Sequence, residues 1–298
     1  MRYSRTNTNH AAPFRHLHWR VGHGRSLELG NHGHIMAIVN VTPDSFSDGG
    51  LYADVAAAVA HGLACVEAGA AILDIGGEST RPGAAEVSAG EEQDRILPVI
   101  EELARKTDAL LSVDTYRAGT ARLAMAAGAH ILNDVHGLQR EPEMASVAAE
   151  TGAGLCIMHT GRGRVGAISE DVIEDQRVFF EASLRIADAA GVAREAIILD
   201  PGFGFAKDAK DNLQLMARFT ELHELDLPWM VGTSRKRFVG SVTGREIAAD
   251  RDVATAATTA ILRLAGASIF RVHDVAVNRD ALAIADAMTA VASRGEGR

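Results

Sequence analysis

Short β-branched or aliphatic runs alternate with longer segments of helical period almost from one end of the chain to the other, and few folds accept that rhythm eight times over. The runs are Ile35–Asn40, Ala71–Gly76, Ala109–Asp114, His130–Asp134, Gly154–His159, Ala196–Asp200, Pro228–Gly232 and Ser268–Val272. Between them Val55, Val59, Leu63 and Val66 recur at helical spacing, as do Ile96, Val99, Ile100 and Leu103, and again Val253, Ala257, Ile261 and Leu264. Each set gives its helix one apolar face for a sheet. Gly69, Gly128, Gly152, Gly191 and Gly266 stand shortly before the next run, where a left-handed C-terminal cap falls. Repeated βα units with no linker, low-complexity block or shift of composition predict an α/β fold, a (β/α)8 TIM barrel with an N-terminal extension or cap. A doubly wound open sheet is the alternative. With 298 residues, 47% of them hydrophobic, the chain is large enough to fill such a barrel as one domain, residues 19–298, behind a flexible arm at 1–18.

The formal net charge of -9 argues against a nucleic-acid surface, since phosphate backbones are bound mainly by Lys and Arg. Cys65 and Cys156 lie in a helical pattern and an apolar run, so no disulfide framework is expected and a reducing, cytoplasmic setting fits best. No apolar stretch approaches the roughly eighteen residues of a membrane span. Arg2, Arg5, Arg15, Arg20 and Arg25 precede the first acid, Glu28, superficially like an organelle transit peptide. Pro13 interrupts the stretch and no amphipathic helix emerges, so it reads as an arm leading into a cap. His10, His16, His18, His23, His32 and His34 crowd the same region without the regular spacing of a metal site.

A parallel barrel fills its inside with side chains, so polar residues have little place in its strands except at the C-terminal mouth. The polar residues here gather there: Asn40, Asp74, Asp114, Asn133 with Asp134, His159, Asp200, Lys236 just after the seventh run, and Arg271 with His273. A single Asp or Asn after a strand is most often a helix cap. A whole rim of carboxylates, amides and cations instead suits a flat polar heterocycle with donors and acceptors of its own. Arg271 and His273, two apart on one strand, point the same way and suit an anion. Two long loops follow the first two runs, one at 41–50 and one at 76–83, well beyond a minimal βα turn. Neither is a nucleotide fingerprint: no G-x-x-x-x-G-K-[ST] occurs, and Gly202-Phe203-Gly204 lacks its remaining glycine.

Asn40-Val41-Thr42-Pro43-Asp44-Ser45-Phe46-Ser47-Asp48-Gly49-Gly50 and Asp74-Ile75-Gly76-Gly77-Glu78-Ser79-Thr80-Arg81-Pro82-Gly83 resemble the two signature loops of the dihydropteroate synthase family of pterin-binding enzymes. Further matches follow in family order at Ser112–Thr115, Asn133-Asp134, Met158-His159, Asp200–Phe205, Ser234-Arg235-Lys236 and Arg271-Val272-His273. The resemblance runs from about Trp19 to the C-terminal helix and implies a TIM barrel, a homodimer, and the coupling of a (7,8-dihydropterin-6-yl)methyl diphosphate to 4-aminobenzoate. It implies that Asp114, Asn133, Asp200 and Lys236 hold the pterin with Met158 beside it. It further implies Asn40 as a ligand of Mg2+, Thr80, Arg271 and His273 on the diphosphate, and Arg81, Pro82 and Phe205 around the 4-aminobenzoate. Arg271, His273, Lys236 and Arg81 are the residues expected to serve the chemistry.

These implied roles have physical sense. An exocyclic amine beside a ring N–H is a two-donor fork that an ionised Asp200 accepts. Lys236 offers a positive donor to ring acceptors, and an ion pair with Asp114 is expected to keep both charged against burial. Cations on the departing diphosphate stabilise the charge that grows there. An aniline-type nucleophile needs no strong base, so no Ser–His–Asp relay is expected. The chain departs from the family's usual pattern at Thr160-Gly161-Arg162-Gly163-Arg164-Val165-Gly166, which replaces a Met-containing loop, at Ala37 in place of a frequent glycine, and at Arg237, where a serine often stands. A pterin-binding corrinoid methyltransferase-like domain and a catalytically silent pterin-binding paralogue are the alternatives; neither requires both complete loops with Asn40, Arg81, Arg271 and His273.

Overall fold

The structure, a computed structural model, describes residues 16–30, 32–42, 51–78, 86–161 and 169–295, with the backbone alone at 51–53 and 292–295. The stretch 1–15 and most of both signature loops, with Thr80, Arg81 and Pro82, lie outside the described residues, as do Arg162 and Arg164. An antiparallel hairpin comes first, β1 (Leu17–Arg20) and β2 (Ser26–Leu29). Leu17 and His18 therefore belong to a strand, although the sequence pattern puts them in the arm: their pairing with Leu29 and Glu28 is a contact that local pattern does not register.

Eight parallel strands follow: β3 (His34–Asn40), β4 (Ile72–Gly76), β5 (Leu110–Asp114), β6 (Ile131–Asp134), β7 (Gly154–Met158), β8 (Ile197–Asp200), β9 (Met230–Val231) and β10 (Ile269–Val272). Their spatial order is β8-β7-β6-β5-β4-β3-β10-β9. A parallel bridge from Leu199 to Trp229, with the Leu199 N–H donating to the Pro228 carbonyl at 3.0 Å, spans the remaining seam. The sheet is thus a barrel, and the open-sheet alternative falls. Helices α1 (Leu51–Glu67), α2 (Ala89–Lys106), α3 (Ala118–Ala126), α4 (Glu143–Thr151), α5 (Val172–Ala189), α6 (Ala209–Ala217), α7 (Arg237–Thr243), α8 (Asp252–Leu264) and α9 (Val275–Gly295) surround it. On α8 the expected sheet-facing set is overturned: Val253, Ala257, Ile261 and Leu264 are all exposed, and the buried side is Thr255, Ala256, Thr259, Leu262 and Arg263. Local chemistry sets several of their ends. Ser88 and Glu91 close a capping box on α2, Asp171 caps α5 through the Ile173 and Glu174 N–H groups, and Gly152 ends α4 in the left-handed region at φ 66.

The period-two alternation of the strands divides the interior into two cores. Ala37, Val39, Leu73, Ile75, Leu111, Val113, Leu155, Ile157, Phe270 and Val272 face the helices and join the larger cluster. The alternate residues face inward. Met36, Ile72, Leu110, Ile131, Cys156, Ile198, Met230 and Ile269, one from each barrel strand, form a floor that packs against Trp19, Val21 and Leu29 of the hairpin. Trp19 is 1% exposed and its indole N–H donates to the Ala196 carbonyl at 2.8 Å, so the hairpin closes the N-terminal end of the barrel. Among the described residues no helix is long and apolar enough to cross a membrane.

Candidate functional site

Continuing each inward row beyond the floor reaches Asn40, Asp74, Asp114, Asn133, Met158, Asp200, Arg271 and His273 at the C-terminal mouth. The same alternation that buries the floor therefore turns these polar groups inward. They open into a cleft of about 910 Å³ whose lining includes Asn40, Asp114, Phe205, Lys236, Arg271 and His273. A narrow slot beneath it is walled by Asp114, Asn133, Met158, Asp200, Phe205, Lys236 and Arg271. Every described residue that the resemblance assigns to pterin, diphosphate, metal or 4-aminobenzoate thus lines one connected space. Asp134 and His159 do not join them. Asp134 turns out of the barrel and accepts from the His136 and Leu138 N–H groups at 2.8 and 2.7 Å, while His159 points at Asp175 of α5 at 2.9 Å.

Arg271 sits at the centre of the slot. Its Nε donates to Asp74 at 2.6 Å and its Nη2 to Asp114 at 2.7 Å, and Asn133 Nδ2 donates to Asp74 at 3.1 Å. Burial opposes the guanidinium charge, but Asp74 and Asp114 outweigh it and raise its pKa, so the cation is permanent. The expected Lys236–Asp114 ion pair is not formed: Asp114 pairs with Arg271, and Lys236 Nζ lies 4.0 Å from the centroid of the Phe205 ring. Burial brings the Lys236 ammonium down to about 7 against the pull of Asp200, and pushes the Asp114 carboxyl up to about 7 against the pull of Arg271. The Asp200 carboxyl is likewise raised by burial, while the Gly202 N–H, 2.8 Å from its Oδ1, works the other way.

Asp74 Oδ1, Asp114 Oδ1 and Asn133 Oδ1 are buried and accept from no donor among the described residues. Asp114 and Asn133 wall the slot while Asp74 lies behind it, and the two acceptors in the wall suit a guest that brings N–H groups. Two residues here have functions the motifs do not disclose. Asp74, fully buried, aims Arg271, and Ser234 pairs with His273 Nδ1 at 2.9 Å while accepting the His273 N–H at 3.1 Å. The inward parity of Asp74 was the available signal for the first; Ser234, in a loop, has no parity and is marked only by its place in the Ser234-Arg235-Lys236 match. Arg235 adopts a positive φ of 57 and is clamped to Asp252 at 2.7 and 2.8 Å, which sets the turn that delivers Lys236 into the slot. Arg237 is exposed and lines the outer cleft. Among the described residues no group of three or more His, Cys, Asp or Glu could hold a metal ion, and Asn40, the implied magnesium ligand, lines the cleft.

A sequence profile of the family described as "Pterin binding enzyme" matches residues 36–273, so fold and site together define a pterin-binding enzyme. The dihydropteroate synthase of Escherichia coli K12 is 42% identical over 269 residues, covering 89% of this chain and 94% of that enzyme. A structure of Xanthomonas albilineans dihydropteroate synthase with 4-aminobenzoic acid superposes with a TM-score of 0.85 at 43% identity, covering 92% of this chain and 99% of the other. The same enzyme in complex with 7,8-dihydropteroate gives 0.82 at 41% identity, covering 91% and 99%. Within the pterin-binding class, the chain belongs to the dihydropteroate synthase family.

Proposed function

We propose that the protein condenses (7,8-dihydropterin-6-yl)methyl diphosphate with 4-aminobenzoate, releasing 7,8-dihydropteroate and diphosphate in folate biosynthesis. The observation that carries this reading is the slot itself, where buried acceptors meet a fixed guanidinium directly below a roomy cleft. The pterin lies in the slot. Asp114, Asn133 and Asp200 take its N–H groups, Lys236 donates to its ring acceptors, and Met158 packs beside it. Arg271 and His273, with Thr80, bind the diphosphate, and Arg81, Pro82 and Phe205 receive the 4-aminobenzoate in the outer cleft.

The C–O bond between the methylene carbon and diphosphate breaks, the aniline nitrogen forms the new C–N bond, and its proton leaves to solvent or to the released anion. Arg271 keeps its charge throughout, so it stabilises the leaving group without reorganising at the moment of reaction. Ser234 aims His273 at the same anion. Mg2+ fits this arrangement, since that ion keeps several waters and is bound largely by substrate phosphates, so one amide oxygen from Asn40 is an adequate protein share. When bound it would help neutralise the diphosphate.

The reading is tested by incubating purified protein with both substrates and magnesium and measuring dihydropteroate and diphosphate together. Asp200→Ala is expected to weaken pterin binding, and Arg271→Ala to lower kcat by about a hundredfold or more. Equal turnover of wild type and Arg271→Ala would remove the leaving-group role.

The same proposal extends to a homodimer, because Val253, Ile261 and Leu264 on α8 and Ile284, Met288 and Val291 on α9 expose large apolar side chains on two adjacent helices. A cytoplasmic setting agrees with two buried cysteines that remain free thiols.

A further inference from the structure

His159, though directed away from the mouth, is part of a chain of contacts that returns to it. Its Nε2 lies 2.9 Å from Asp175, which also accepts the Ser169 N–H at 3.0 Å. Its Nδ1 lies 2.9 Å from Lys207 Nζ. An ammonium only donates, so Lys207 donates to Nδ1 and the Nε2 side faces Asp175. Lys207 Nζ also donates to the carbonyls of Gly202 at 3.1 Å and Phe205 at 3.3 Å, so it ties the end of β7 to both ends of one tight turn.

That turn does not hold its own shape. Gly202, Gly204 and Ala206 all have positive φ, at 63, 77 and 50, and Ala206 has no glycine's freedom to do so. Asn212 braces the turn from α6, accepting the Gly204 N–H at 2.7 Å and donating to the Lys207 and Asp208 carbonyls at 3.1 and 2.6 Å. Phe205, carried at the end of the turn, meets Lys236 on one side and lines the cleft on the other.

We propose that Lys207, anchored through His159 to Asp175, is a positioning residue that holds the 202–206 turn so that Phe205 forms the wall on which 4-aminobenzoate packs. The inference rests on the function proposed above. Because Lys207 acts through Phe205, its loss is felt most by the second substrate and less by the pterin, which meets the same turn only through the slot wall of Phe205 and the Gly202 N–H on Asp200.

The test compares wild type, Lys207→Met and Lys207→Arg in steady-state assays of both substrates, with direct binding of a pterin lacking the diphosphate. Lys207→Met is expected to raise KM for 4-aminobenzoate by about tenfold or more while kcat and pterin affinity each stay within about threefold; Lys207→Arg, which keeps charge and donors, restores most of it. Combined with Phe205→Leu, Lys207→Met adds little to the effect of Phe205→Leu alone, as coupling through one side chain requires. A 4-aminobenzoate KM within about twofold of wild type in Lys207→Met, or additive effects in the double variant, overturns the inference. A parallel loss of kcat, pterin affinity and thermal stability would also overturn it in favour of a general structural role. If Lys207→Met does not fold, Lys207→Gln carries the same comparison. Wild-type protein that makes no dihydropteroate defeats the proposed function, whereas active wild type with an indifferent Lys207→Met defeats this inference alone.

Discussion

Lys236 and Asp114 both wall the slot, and burial moves their titrations toward one another, each to about 7. The Lys236 value lies below its ordinary 10.5, so the unfolded chain holds the extra proton and stability rises as pH climbs from about 7 toward 10.5. The Asp114 value lies above its ordinary 3.8, so the folded chain holds the extra proton and stability falls as pH climbs from 3.8 toward about 7. Together these two groups contribute least stability near neutrality, where the proposed reaction needs the carboxylate and the ammonium in one slot. Urea midpoints measured from pH 5 to 9 in wild type and Lys236→Met check this: the variant is expected to lose the rise on the alkaline side and, at neutral pH, to be at least as stable as wild type while losing activity. In the same window kcat/KM for the pterin substrate is expected to be bell-shaped, falling on the acid side as Asp114 protonates and on the alkaline side as Lys236 deprotonates. That Asp114 takes Arg271 and not Lys236 was not legible in the sequence. The partner depends on how far β10 is staggered against β4 and β5 around a closed barrel, and no local pattern encodes that stagger.

The strands were legible almost residue for residue, because eight apolar runs bounded by helical periods leave little else to build. Their inward and outward faces were legible too, through parity: counting by twos from Ile131 reaches Asn133 and passes over Asp134, and counting from Cys156 reaches Met158 and passes over His159. Position near a strand end alone places all four at the mouth, whereas the structure sends Asp134 and His159 outward. The hairpin was less legible, since β1 and β2 are four residues each and draw their stability from the floor they cover. Trp19→Ala is accordingly expected to cost about 3–5 kcal/mol in denaturant unfolding while leaving kcat of the folded fraction near wild type. At the 202–206 turn a Cβ on Gly202 would lie 2.0 Å from the His159 carbonyl oxygen, on a residue already at φ 63. Gly202→Ala is therefore expected to lower the thermal midpoint and raise KM for 4-aminobenzoate together, read by calorimetry and steady-state kinetics.

As a whole the molecule separates what keeps it folded from what it does. Apolar side chains fill the lower half of the barrel, ions and amides the upper half, and six of the eleven exposed large apolar side chains among the described residues lie on α8 and α9. Introducing glutamate at both Val253 and Ile284 is expected to halve the mass seen by light scattering, because two desolvated charges oppose reassociation. The floor that Trp19 and Leu29 seal has a consequence for traffic. A tube stopped at one end has a single doorway, so the guest seated innermost must arrive first and depart last. A dead-end occupant of the outer chamber should then lock the inner one in place, and should appear as an uncompetitive inhibitor toward the pterin substrate.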